Sequence, residues 1–72
     1  MAEIKFFGYL VEIVGTREKE ARLEKPVALR SILPSSFPET NIIILINQKP
    51  GTLDTLIRDE DVIVLMPVLS GG

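Results

Sequence analysis

Apolar positions along this 72-residue chain fall into short runs, and the spacing changes from run to run. Ile4-Lys-Phe-Phe7 alternates in part and carries β-favouring aromatics, which predicts a first strand ended by Gly8. Leu10, Ile13 and Val14 follow at helical spacing, with Gly15 placed as a C-terminal stop, so Tyr9–Val14 is predicted as a short helix. A helix this short is held by packing rather than by its own hydrogen bonds. After a charged turn over 16–20, Glu20–Glu24 alternates weakly and is expected as a solvated second strand pairing with the first. Leu29, Ile32 and Leu33 again share one helical face, which predicts a second helix over Val27–Leu33, stopped by Pro34. The stretch from Pro34 to Asn41 reads as a polar connection.

Ile42-Ile-Ile-Leu-Ile46 is the strongest strand signal: β-branched, apolar on both faces and therefore expected at the centre of a sheet. Asn47–Gly51 is a turn, Leu53, Leu56 and Ile57 fall in an irregular segment, and Arg58–Asp61 is an acidic turn. Val62–Met66 is the last strand. Strands and helices in this order, with the helices segregated from a mixed sheet, define an α+β domain. Two short helices cannot cover a sheet whose strands are apolar on both faces. One face is thus expected to stay partly bare and to serve for docking.

Composition narrows the chemistry. There is no Cys and no His, which removes disulfides, thiolates and the commonest general base and metal ligand. No metal site is expected: Asp59, Glu60 and Asp61 read as a solvated turn, because further oxygen ligands at loop spacing are missing. A net charge of -2, spread along the chain, argues against nucleic acid. No apolar run reaches the roughly 20 residues of a membrane span and no signal-peptide pattern opens the chain, so a cytoplasmic protein is expected. Ser35, Ser36 and Thr40 lack a nearby base and read as loop and cap residues.

The residues that point outward are the last six. Pro67-Val68-Leu69-Ser70-Gly71-Gly72 follows the final strand and ends in two glycines. Glycine lacks a Cβ, so such a tail threads a slot too narrow for other residues. A terminal carboxylate, with a pKa near ~3.5, is a poor electrophile until it is activated, most simply as an acyl-adenylate. The chain has no phosphate loop, and hence reads as the substrate of a partner that binds ATP. The expectation is one domain over 1–72, with 67–72 as a projecting, flexible tail.

Several short motifs together carry a resemblance. Phe6-Phe7-Gly8-Tyr9-Leu10-Val11-Glu12-Ile13-Val14-Gly15-Thr16, Ile46-Asn47-Gln48, Asp59-Glu60-Asp61-Val62 and the closing Leu65-Met66-Pro67-Val68-Leu69-Ser70-Gly71-Gly72 resemble, in order and spacing, the ubiquitin-like sulfur-carrier family with the β-grasp fold. Within it they look most like the small subunits of molybdopterin synthase. Val68 and Glu60 depart from the Pro and Gly common there, and the segment from Val27 to Asn41 is short.

The resemblance implies a β-grasp mixed sheet with one short main helix. It implies no bound cofactor and no catalytic side chain. The role is that of a sulfur-donating subunit whose Gly72 carboxylate is adenylated by a ubiquitin-activating-type adenylyltransferase using ATP. A sulfur donor then converts it to a thiocarboxylate, and the large catalytic subunit of molybdopterin synthase receives it. Gly71, Ser70, Leu69, Val68 and Pro67 would line the partner's channel, and Phe7, Ile63 and Leu65 are expected on the docking surface. A protein modifier conjugated through Gly72, a thiamin-pathway sulfur carrier and a plain β-grasp interaction module are the other readings.

Overall fold

The computed structural model describes residues 1–68. Strand β1, Ala2–Phe6, buries every second residue (Ala2, Ile4 and Phe6) and turns Glu3 and Lys5 outward, as its partial alternation predicts. The chain then turns at Gly8 into helix α1, Leu10–Val14, which ends on Gly15 in the left-handed conformation with its N–H on the Val11 carbonyl. Strand β2, Glu18–Ala21, returns antiparallel to β1. It begins two residues earlier than its sequence pattern suggests, because the pairing of Lys5 with Glu18 draws the charged turn into the ladder.

Next come β3, Val27–Ala28, and a 3-10 turn, Leu29–Ile32, then β4, Ile42–Ile46, β5, Lys49–Pro50, β6, Leu56–Ile57, and β7, Val62–Pro67. The main sheet has the order β2-β1-β7-β4-β5, and β3 and β6 form a separate two-stranded sheet. β1 and β7 are parallel, so the whole intervening chain is their crossover. β4 lies antiparallel on the other side of β7. The central strand is therefore β7; β4, expected at the centre, is its neighbour.

The second predicted helix is a correction. Val27 and Ala28 pair with Ile57 and Leu56, and the Leu29 and Arg30 amides donate to the Thr55 and Leu53 carbonyls. Donors committed across to another segment are lost to an α-helix, and one 3-10 turn is what remains before Pro34. The apolar spacing still identified the side that packs inward, since Leu29 is buried and Ile32 and Leu33 pack against the core. The stretch 34–41 is also less polar in role than in composition. Phe37 is buried there, its ring centroid 6.2 Å from that of Phe6. It fills part of the space that a longer helix would cover. The mixed sheet with one small α-helix is the β-grasp architecture.

The acidic turn is solvated only in part: Arg58 and Glu60 are exposed, while its last residue is buried. Asp61 is 9% exposed, and its carboxylate accepts from Asn47 Nδ2 at 2.8 Å and from the Arg58 amide at 2.7 Å. Asn47 Oδ1 accepts from the Val62 amide at 2.9 Å, and the Asp61 carbonyl accepts from the Glu3 amide. Three segments are tied at one point. Asn47 sits at φ 52°, a left-handed geometry that Asn tolerates better than most residues. Asp59 accepts from the Leu23 amide and pairs with the terminal ammonium of Met1 at 3.3 Å. Among the described residues no cluster of acidic, His or Cys side chains is placed to hold a metal ion, and no helix is long and apolar enough to cross a membrane.

Candidate functional site: the open sheet face and the exit of β7

The two faces of the sheet differ. Ile4, Phe6, Ile63, Leu65 and Ile44 point to one side, where α1, the 3-10 turn and Phe37 close over them. On the other side the register sets Lys5 beside Val64, Leu45 beside Val64, and Ile43 beside Met66. Ile43 is 40% exposed, and Leu45, Val62, Val64 and Met66 are half-buried. Phe7 continues the outward phase of β1 and is 49% exposed. A shallow depression of about 450 Å³ runs over this face between Lys5, Leu45, Asn47, Gln48, Val62 and Val64. On the β2 side the outward positions are Glu3 opposite Glu20 and Lys5 opposite Glu18, so the apolar strip has an acid-rich margin. A partner with an apolar patch edged by basic groups is the complement.

The expected docking residues divide. Phe7 is on the surface. Ile63 and Leu65 are corrections: both are 0% exposed, in the core beneath the sheet, and cannot touch a partner. Their neighbours Val62, Val64 and Met66, with Ile43 and Leu45 from β4, form the open face instead. Nothing within β7 signals its phase, since both phases are aliphatic. The signal lies in β1, where Ile4 and Phe6 against Glu3 and Lys5 mark the inner side, and it reaches β7 only through the pairing register.

The tail boundary also moves. Pro67 is the last residue of β7, opposite Ile42, and the Val68 amide donates to the Asn41 carbonyl at 2.9 Å. Pro67 is thus part of the sheet, and Val68, 47% exposed, is the first residue on its rim. Leu69, Ser70, Gly71 and Gly72 lie outside the described residues.

A parallel-antiparallel sheet with one small helix, an open apolar face and a central last strand that delivers the C-terminal segment is the ubiquitin-like β-grasp class. The model of the ThiS family matches residues 4–72, and the chain belongs to that family of ubiquitin-like sulfur carriers and modifiers. Solved structures agree in fold. SAMP1 of Haloferax volcanii superposes with a TM-score of 0.72 at 20% identity, over 99% of this chain and 98% of that one. A protein of Pyrococcus furiosus described as molybdopterin converting factor, subunit 1, gives 0.67 at 18% identity, over 92% and 94%. Urm1 of Sulfolobus solfataricus gives 0.61 at 27% identity, over 90% and 97%. A search among curated proteins found no match.

Proposed function

We propose that this chain is a cytoplasmic sulfur carrier, working as the small subunit of molybdopterin synthase. The observation that carries the proposal is the ThiS family match running through Gly71-Gly72, on a chain whose central strand leads directly into that segment.

The chemistry follows from what the chain has and lacks. Without Cys or His it offers neither a thiolate nor an imidazole, so activation falls to a partner. A Gly72 carboxylate oxygen attacks the α-phosphorus of ATP on an adenylyltransferase and pyrophosphate leaves. A donor supplying sulfur at the sulfide level attacks the acyl carbon, AMP leaves, and a thiocarboxylate remains. That sulfur is a better nucleophile than the carboxylate oxygen. Docking of the open face on the synthase's large subunit holds the body, and the tail brings the sulfur to a pterin precursor. Holding the reactants together replaces an encounter in solution with an effectively intramolecular step. Gly71 and Gly72 pass the narrowest part of the channel, and Ser70, Leu69 and Val68 grip it.

Intact-mass measurement with fragmentation tests this, after incubation with an activating enzyme, ATP and a sulfur source. The expected result is replacement of one oxygen by sulfur at Gly72, with Gly72→Ala sharply reduced in transfer while still folded. An unchanged mass across several competent activating enzymes would sink the proposal. The likeness to Urm1, and to the Haloferax protein whose full name is small archaeal modifier protein 1, favours a second reading, conjugation of Gly72 to a target lysine. Adducts that survive denaturation and map to an isopeptide bond at Gly72 would select it.

A further inference from the structure

The way β7 ends is unusual in its parts. Along the strand, peptide groups alternate between its two neighbours: the Leu65 carbonyl accepts from the Phe7 amide on the β1 side, and the Val68 amide donates on the β4 side. By that alternation the nitrogen of residue 67 faces β1, where a continued parallel ladder would aim it at the Phe7 carbonyl. That carbonyl is already taken by the Leu10 amide, which opens α1. Residue 67 is Pro and has no N–H to leave unsatisfied. Its ring occupies the place of the lost rung. It does so against Gly8, where a Cβ would lie 2.8 Å from Pro67 Cγ and 3.1 Å from Cδ. Proline carbons are locked to the backbone, so a collision there shifts the main chain rather than a side-chain tip. Gly8 is at φ 59°, and across the strand Asn41, which holds the Val68 amide, is at φ 60°.

We infer that Gly8 is a positioning residue: it is the seat of the Pro67 ring, and this seat sets the direction in which the chain leaves the sheet toward Gly72. The inference rests on the carrier function proposed above. Any side chain at residue 8 lifts Pro67 off β1 and swings Val68 about its bond to Asn41. The terminus is then delivered off line, although the body and its open face are intact.

Gly8→Asn is the variant of choice, because Asn accepts a positive φ and adds the Cβ. Two readouts are taken: residual dipolar couplings of the Val68 amide relative to those of β1 and β4, and the rate of sulfur transfer from the charged chain. The expected result is a changed Val68 coupling with unchanged couplings in the strands, and transfer slowed roughly 10- to 100-fold, the scale for an ångström-sized misplacement. Adding Pro67→Ala, which removes Cγ and Cδ, should restore most of the rate. A folded Gly8→Asn chain with wild-type Val68 coupling overturns the inference, as does a changed coupling with wild-type transfer. If Gly8→Asn fails to fold, the double variant must fold; if it does not, the ring is not what the added carbon strikes and the inference fails. A wild-type chain that never takes up sulfur defeats the carrier proposal instead, and the Val68 couplings then decide alone whether Gly8 directs the exit.

Discussion

Ile63 and Leu65 differ from Val62, Val64 and Met66 by one step along the same strand, and the two sets have opposite surroundings. The first set lies in the core with no exposed area; the second faces outward with nothing folded over it among the described residues. Both are aliphatic, so hydrophobicity does not separate the core from the open face here. Their phase against β1 does: one set shares a side with Ile4 and Phe6, the other with Lys5. A central strand can be apolar on both faces for two unrelated reasons, and only one of them is folding.

The largest expected effect comes from emptying the inner face. Leu65→Ala should cost about 2–5 kcal/mol in chemical denaturation, a large part of the about 5–15 kcal/mol typical of a domain. Val64→Thr is its counterpart. Stability should stay within about 1 kcal/mol, because Thr keeps the β-branch in a half-solvated position. Binding to the large subunit proposed as partner should weaken about tenfold or more, since docking through this face would bury an unpaired hydroxyl. Equal losses of stability in the two variants would break the comparison.

Next is the latch that carries the register from turn to turn. Asn47→Gly keeps the left-handed backbone and removes both side-chain bonds, leaving one Asp61 oxygen and the Val62 amide without their partners. A loss of about 1–3 kcal/mol is expected from urea midpoints. A midpoint equal to wild type would mean that β-sheet pairing alone sets the register.

A smaller effect is written into pH. The Leu23 amide holds the Asp59 carboxyl below its ordinary 3.8, helped by the Met1 ammonium and opposed by the group's partial desolvation. A lowered folded-state value means a stabilising contribution that is complete above 3.8 and fades as pH falls through the lowered value. From about pH 5 down to about pH 2, wild type should therefore lose more stability than Asp59→Asn. Identical slopes would remove Asp59 from the account. Smallest is the exposed bridge from Arg30 to Asp54 and Glu39, which raises the Arg30 pKa and lowers that of Asp54. Arg30→Ala should shift the denaturation midpoint slightly at low salt and not measurably at high salt.

Much of this was legible along the chain. β1, α1 with its Gly15 stop, β4 and β7 carry local signals that the fold does not override. The bare sheet face followed from counting helical cover against apolar strands. Val27–Leu33 misled because helical spacing names the buried side without saying where the amides go, and here they go to Leu53 and Thr55. Phe37 was hidden among Pro, Ser and Thr, whose composition says loop while one aromatic says core.

What the sequence by itself determined is β1, α1, β4 and β7, the absence of thiol and imidazole chemistry, and the Gly-Gly pair that gives the chain its proposed task. These are properties of single residues and of spacing within a few positions. Only the tertiary structure decided that β7 rather than β4 is central, that Val64 rather than Leu65 lies on the open face, that Asp61 is a buried acceptor, and that Gly8 lies under Pro67. Each depends on two segments far apart in the chain meeting in one register. A one-residue slip in that register would exchange every inward and outward side chain.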